Sequence, residues 1–244
     1  MPSMKPSYVF EPLLHPALPI LGSDLWFPVR RIFCVGRNYP SHALEMGGDP
    51  RGEPPFFFIK PADAAVAAGD VIYPPATQDL QHEVELVAAL CGEGADVPPG
   101  QALDLVYGYA VGLDLTRRDL QAEAKRKGRP WAMSKAFPGA APCSPIRPAA
   151  SIGHPERGAI VLRVNGQLRQ RGDLRDRIWS TAETLSTLSR LVPVQPGDLV
   201  FLGTPEGVGP LEPGDRFRAE VEGVGILEGQ VRPQAERRDE SSLR

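Results

Sequence analysis

The sequence predicts an α+β fold dominated by β-strands, antiparallel or mixed, with a few short helices. Three observations carry that expectation. From Arg31 onward, short β-branched and aromatic runs recur, each bounded by Gly, Pro or Asp. Asn165-Gly166 separates two such runs, as a two-residue hairpin turn would. Helical periodicity is confined to a few segments that do not alternate with the strands, which argues against repeated βαβ units.

Taken in order, residues 1 to 27 are proline-rich with scattered apolar side chains, and read as an arm packed on the main body. Ile32-Phe33-Cys34-Val35, Phe56-Phe57-Phe58-Ile59, Val71-Ile72-Tyr73 and the run from Val84 to Leu90 read as strands. Ser41 to Met46 fits a short helix capped by Ser41, and Thr116 to Lys127 a charged helix ending at Gly128. Ala159–Val164 and Gln167–Gln170 flank the Asn-Gly turn. Ser180-Thr181-Ala182-Glu183 has the form of a capping box, followed by Leu185, Leu188 and Leu191 on one helix face. Pro-Gly-Asp at 196–198 and 213–215 suits type II turns entering strands. The expected layout is an arm over 1–27, one catalytic domain over 28–232 and a charged flexible tail over 233–244.

Composition excludes several roles. Apolar residues make up 42% and charged residues 23% of the chain, as in ordinary globular domains. The net charge is −3 without a basic stripe, so nucleic acid is not an expected partner. Cys34, Cys91 and Cys143 lie far apart and form no Cys-x-x-Cys pair, which suits a reducing compartment. The first residues lack the apolar stretch of a signal peptide, and no apolar run is long enough for a membrane span. The expectation is a soluble, cytoplasmic protein.

The chemistry is concentrated in His82-Glu83-Val84-Glu85-Leu86-Val87. Side chains at i and i+2 of a strand share a face, which puts Glu83 and Glu85 about 7 Å apart at their Cα atoms. The apolar run that follows implies burial, and two buried like charges disfavour ionisation. A divalent cation relieves both costs, and an all-oxygen donor set suits Mg²⁺ or Mn²⁺. Glu-x-Glu alone also fits a solvated acidic face; Asp114, some thirty residues on, supplies the third oxygen donor that makes a metal site coherent.

A second cluster is Gly36-Arg37-Asn38-Tyr39-Pro40-Ser41-His42-Ala43-Leu44-Glu45. In a short helix His42 and Glu45 are i,i+3 neighbours, roughly 5–6 Å between Cβ atoms. A carboxylate beside an imidazole fixes its tautomer, as a general base for water requires. Glycines and prolines around this stretch, from Gly47-Gly48 to Pro54-Pro55, suit a mobile lid. Lys135, in Trp131-Ala132-Met133-Ser134-Lys135, could hold an oxyanion; read in isolation it would reach to the surface instead. Gly203-Thr204-Pro205-Glu206-Gly207-Val208-Gly209 lacks the features of a phosphate loop, but its N–H groups and the Thr204 hydroxyl could clamp a carboxylate. There is no Gly-x-Ser-x-Gly elbow and no His-x-x-x-His. Metal-assisted chemistry on a small anionic substrate remains.

From Arg31 to Val231 the chain resembles the fumarylacetoacetate hydrolase family, in its short acylpyruvate-hydrolase branch. The resemblance rests on six ordered blocks: Cys34 to Tyr39 with His42 and Glu45; Phe58-Ile59-Lys60-Pro61; His82 to Leu86; Gly108-Tyr109 through Asp114 and Arg118 to Gln121; Trp131 to Lys135; and Gly203 to Gly209. It implies a mixed β-roll and a homodimer. It also implies a cation, Mg²⁺ or Mn²⁺ and sometimes Ca²⁺, on Glu83, Glu85 and Asp114. His42 and Glu45 correspond to a water-activating pair on a lid and Lys135 to an active-site lysine. Arg118, Gln121 and Thr204 correspond to positions holding the pyruvyl carboxylate and neighbouring oxygens.

The implied reaction is hydrolysis of a 2,4-diketo acid at its C3–C4 bond, with fumarylpyruvate giving fumarate and pyruvate as the foremost case. Arg37 or Arg51 would meet the distal carboxylate. The alternatives are an oxaloacetate decarboxylase or a ring-fission-product isomerase or decarboxylase of the same family. A non-catalytic binder is disfavoured, because every matched position keeps a competent residue.

Overall fold

Val84–Leu90 and Val106–Leu113 pair antiparallel at the centre of the molecule, with Val84 opposite Leu113 and Glu85 opposite Gly112. All seven residues of Val84–Leu90 are buried, as expected for a strand covered on both faces. In the computed structural model, which describes residues 8–11, 13–45, 54–67 and 69–234, these two strands belong to an eight-stranded sheet. Outward on one side run Asp198–Phe201, Arg31–Gly36 and the edge strand Phe56–Lys60; on the other, Ala141–Cys143 and Ala65–Ala67, and the eighth strand, Arg147–Pro148, also pairs with Val106–Leu113. Asp198–Phe201 runs parallel to Arg31–Gly36, and Ala141–Cys143 parallel to Ala65–Ala67, so the sheet is mixed.

A five-stranded sheet, ordered Gln167–Asp173, Ala159–Val164, Arg216–Val221, Gly225–Arg232 and Val71–Ile72, packs beside it. Arg216–Val221 alternates exposed and buried side chains, and its inward Phe217, Ala219 and Val221 join the core. A small third sheet places Leu80–His82 between Thr116–Arg117 and Gly209–Pro210. Strands predominate and helices are short: the mixed, mostly β α+β architecture expected from the sequence.

Several local expectations meet their geometry. Asn165 and Gly166 both have positive φ, 51° and 77°, as a type I′ hairpin requires. Ser180 and Glu183 form the reciprocal capping box of Thr181–Leu191. Gly197 and Gly214, at φ 92° and 100°, take the third position of the two Pro-Gly-Asp turns.

Two helix boundaries differ from expectation. The charged helix spans Arg118–Arg126, because Thr116 and Arg117 pair with Gln81 and Leu80 as strand. The short helix is Pro40–Glu45 and starts at proline, whose fixed φ suits a first turn, so Ser41 lies inside it. Met46 lies outside the described residues, as do the lid stretch up to Glu53 with Gly47, Gly48 and Arg51, and the tail from Ala235. In the N-terminal segment, Ala17–Pro19 pairs with Trp26–Pro28 and buries Leu18 and Phe27, whereas Tyr8, Val9, Phe10, Leu13 and Leu14 are exposed.

Candidate active site

The topology delivers the chemically interesting residues to one end of the central sheet. Because Arg31–Gly36 and Asp198–Phe201 are parallel, with Cys34 opposite Phe201, their carboxyl ends emerge together. Arg37 to His42 follow one strand, and Gly203 and Thr204 follow the other. Asn38 ties these exits: its Nδ2 donates to the carbonyls of Leu202 (2.8 Å) and Trp179 (3.0 Å), and its Oδ1 accepts from Trp179 N–H (2.8 Å). The antiparallel pair contributes from the opposite chain sense. Glu83 and Glu85 stand at the start of Val84–Leu90, Asp114 just past the end of Val106–Leu113, and Asp114 N–H donates to Glu83 O (2.8 Å). Glu83 itself lies in the break between Leu80–His82 and Val84–Leu90.

The three carboxylates are buried, and one oxygen from each lies within 4.8 Å of the others. Charges around them are closely matched. Lys135 Nζ sits between Glu83 Oε2 and Asp114 Oδ2, 2.7 Å from each, and Arg118 meets Glu83 Oε1 at 2.5 Å. Burial by itself would lift the Glu83 carboxyl, but the Lys135 and Arg118 charges hold it well below the usual carboxylate range. Glu85 goes the other way. Burial first, then repulsion from Asp114 and Glu83, push its carboxyl well above that range, although Gly203 N–H donates to Oε2 at 2.6 Å. Burial would favour a neutral Lys135, but Asp114 and Glu83 raise its ammonium above the ordinary value.

This donor set fits a hard divalent cation. Lys60 Nζ lies 2.8 Å from Asp114 Oδ1, yet its three N–H bonds point at the carbonyls of Leu115, Lys135 and Ala140, 2.7–3.0 Å away. Asp114 Oδ1 therefore accepts no hydrogen bond although it is buried, and its lone pairs remain for a metal. Lys135 does not reach the surface as its isolated reading suggested: the carboxylates hold its ammonium in the interior.

His42 faces the same pocket. Its Nδ1 lies 3.1 Å from Glu45 Oε2; a carboxylate only accepts, so Nδ1 is the donor, and in the neutral ring Nε2 carries the lone pair. Glu45 stands behind the imidazole, with Gly207 N–H near its other oxygen at 3.4 Å. The pocket wall includes His42, Glu83, Glu85, Asp114, Lys135 and Thr204. Arg118 and Gln121 line it too, joined by a 2.6 Å bond from Arg118 Nη1, while Arg118 Nε donates to Gln81 Oε1 (2.7 Å). Eight of the nine residues given a catalytic, metal or pyruvyl-binding role from the sequence line this pocket, and the ninth, Glu45, stands behind His42.

Other residues of the site were not singled out beforehand. Lys60 was only part of a motif block, although a lysine inside an apolar strand was itself a signal. Gln170 carried none. It is buried in the second sheet, accepts from Val84 N–H and His82 Nδ1 (both 3.0 Å), and donates to Thr204 Oγ1 and Pro205 O (both 2.9 Å). The aromatic side of the pocket is made by Phe56, Phe58 and Trp131.

Comparison with known proteins agrees with this geometry. Residues 31–232 match the family described as Fumarylacetoacetate (FAA) hydrolase C-terminal. The fumarylpyruvate hydrolase of Pseudomonas aeruginosa, crystallised with Mn²⁺ and pyruvate, is 52% identical with a TM-score of 0.91, over 93% of this chain and 100% of that one. The 5-carboxymethyl-2-hydroxymuconate delta-isomerase of Mycobacterium smegmatis is 30% identical with a TM-score of 0.76, over 91% and 83%. The mitochondrial oxaloacetate tautomerase FAHD1 of Mus musculus is 39% identical over 86% of this chain and 95% of its own length. A match over four-fifths of the sequence, with the fold and the three buried carboxylates in place, makes this chain a member of the fumarylacetoacetate hydrolase family.

Proposed function

We propose that the chain is a divalent-metal-dependent hydrolase of 2,4-diketo acids, with fumarylpyruvate, cleaved to fumarate and pyruvate, as its substrate. The observation that carries this reading is that the His42–Glu45 pair and the Glu83, Glu85 and Asp114 carboxylates serve one pocket. Glu83, Glu85 and Asp114 would hold Mg²⁺ or Mn²⁺, which supplies Lewis-acid charge against the substrate's carboxylate and 2-oxo oxygens. Similarity to a fumarylpyruvate hydrolase crystallised with Mn²⁺ and pyruvate supports both the cation and the pyruvyl end of the substrate.

The chain's own residues divide the remaining work. Arg118, Gln121 and Thr204 orient the pyruvyl carboxylate and neighbouring oxygens. Glu45 holds the His42 ring so that Nε2 takes a proton from a water, and the resulting hydroxide adds to the C4 carbonyl. Collapse of that adduct breaks C3–C4 and leaves the electron pair on C3 and the 2-oxygen as pyruvate enolate. Lys135 has a third N–H beyond the two directed at Glu83 and Asp114, and it faces the developing enolate charge. Return of the His42 proton to C3 gives pyruvate, and the acyl fragment leaves as fumarate.

Purified protein should consume fumarylpyruvate with Mg²⁺ or Mn²⁺ and stop in excess chelator. His42→Ala should lower kcat by at least about a hundredfold while Mn²⁺ still binds. Turnover that persists in chelator would end the proposal. The similarity to an oxaloacetate tautomerase favours a second reading, keto–enol proton transfer on oxaloacetate, which needs no attacking water. Enol–keto exchange of oxaloacetate without acylpyruvate cleavage would select it. The reading further includes a homodimer, testable by light scattering, and a reducing compartment such as the cytoplasm. No helix among the described residues is long and apolar enough to cross a membrane.

A further inference from the structure

Two cations on the pocket wall have no part in the chemistry above. Arg37 and Lys125 both line it. The other pocket cations are neutralised where they stand, Lys135 by Glu83 and Asp114 and Arg118 by Glu83. Among the described residues no carboxylate comes within ion-pair distance of Arg37 or Lys125. Each instead lies over an aromatic ring, Arg37 above Phe56 (5.7 Å to the centroid) and Lys125 above Trp131 (5.2 Å). Phe56 and Trp131 meet edge to face at 5.9 Å, and Phe58 meets Trp131 at the same separation. The result is an apolar wall of three rings, Trp131 inclined at 77° to Phe56 and 60° to Phe58, with one positive charge over Phe56 and one over Trp131.

The backbone argues that the Arg37 side chain is placed deliberately. Its φ is 59°, in the left-handed region where glycine is at ease and a longer side chain is strained. The neighbouring glycine serves another purpose: a methyl group at Gly36 would run into the Phe56 ring, so Gly36 leaves room for that ring to reach across from the paired strand. Lys125 stands in a positive surrounding. Burial, then the Arg118 and Arg37 charges, lower its ammonium from the ordinary value, so an anion beside it would be welcome.

We propose that Arg37 and Lys125 clamp the distal carboxylate of a substrate whose flat, unsaturated acyl chain lies against Phe56, Phe58 and Trp131. The subsite selects dicarboxylic over monocarboxylic acylpyruvates. It rests on the hydrolase reading for the orientation of the pyruvyl end, and it assigns the distal charge to Arg37 with Lys125.

The test compares fumarylpyruvate with crotonylpyruvate, the same chain ending in methyl. The proteins are wild type, Arg37→Gly, Lys125→Met and the double variant, each loaded with Mn²⁺. Arg37→Gly eases the positive-φ backbone, and Lys125→Met keeps an unbranched apolar stem beside Trp131, so both should fold. Wild type should favour fumarylpyruvate in kcat/KM, and each single substitution should shrink that preference at least about tenfold, chiefly through KM. A second arm needs no turnover: calorimetry should find fumarate bound more tightly than crotonate by wild type, with the difference lost in the double variant. Equal losses on both ligands, or a preference that survives in the double variant, overturns the subsite. If wild type cleaves neither acylpyruvate but the fumarate–crotonate difference behaves as stated, the subsite holds and the hydrolase reading falls.

Discussion

Glu83 and Glu85 are separated by one residue and titrate in opposite directions, because one has the cations and the other has the anions. Lys135 and Arg118 both reach Glu83, whereas Glu85 is buried against Asp114 and Glu83 with a backbone N–H as its donor. Without metal, the raised Glu85 carboxyl contributes stability at acid pH and loses it as pH climbs through its folded value. The depressed Glu83 carboxyl does the reverse, contributing above the ordinary glutamate range and losing stability as pH falls. A divalent cation favours the ionised Glu85 carboxylate that burial and its neighbours disfavour. Mn²⁺ affinity is therefore expected to rise with pH, with release of up to about one proton per site on binding. Calorimetry in two buffers of different ionisation enthalpy measures that number, and Glu85→Gln should abolish it. Release that persists in Glu85→Gln would place the proton elsewhere.

At the level of strands and loops, Gln170 is the side chain that joins the two sheets at the site. It links the break before Val84–Leu90 to the loop bearing Thr204, with all four of its hydrogen-bonding positions in use. Gln170→Leu leaves the buried Val84 N–H and the His82 ring without their acceptor, at a cost of roughly 1–3 kcal/mol. Denaturant unfolding should register that loss, and Mn²⁺ affinity should weaken as the carboxylate strand loosens. Gln170→Glu should restore the acceptor but not the bonds donated to Thr204 and Pro205. The contrast with Ser180 shows what a sequence can reveal. The capping box, the Asn165-Gly166 turn and the His42–Glu45 pair are set within four residues of chain, and all were legible. Glu83, Glu85 and Asp114 were legible as a metal group because the i,i+2 spacing points the first two side chains the same way and a family pattern supplied the third, although Glu83 lies in the break before Val84–Leu90. Gln170 and Asn38 owe their roles to strand pairing between distant segments, and nothing in their own neighbourhood announces it, whereas Lys60 is marked only by its place at the end of an apolar strand. The first turn of the Arg118–Arg126 helix was misread for the same reason, since Thr116 and Arg117 are recruited by Leu80 and Gln81.

Across the whole molecule, the site is a locally balanced charge cluster in a chain of net charge −3. With all three buried carboxylates ionised, their formal charges cancel those of Lys60, Lys135 and Arg118. A divalent cation leaves the pocket doubly positive, with Arg37 and Lys125 on its wall adding to the field. A dianionic substrate would then be drawn toward it, and kcat/KM for fumarylpyruvate is expected to fall as ionic strength rises. The same cation would tie together the ends of two central strands that the unfolded chain holds far apart. Binding only to the native state at a hundred times Kd adds about 2.7 kcal/mol of stability. For a protein of this size that is a rise in Tm of roughly 5–10 °C. Thermal unfolding with increasing Mn²⁺ should show Tm climbing with the logarithm of concentration and falling back in chelator. Asp114→Asn should flatten the response, because it removes the charge whose Oδ1 accepts no hydrogen bond. A Tm indifferent to Mn²⁺ in the wild type would mean that no metal binds the three carboxylates.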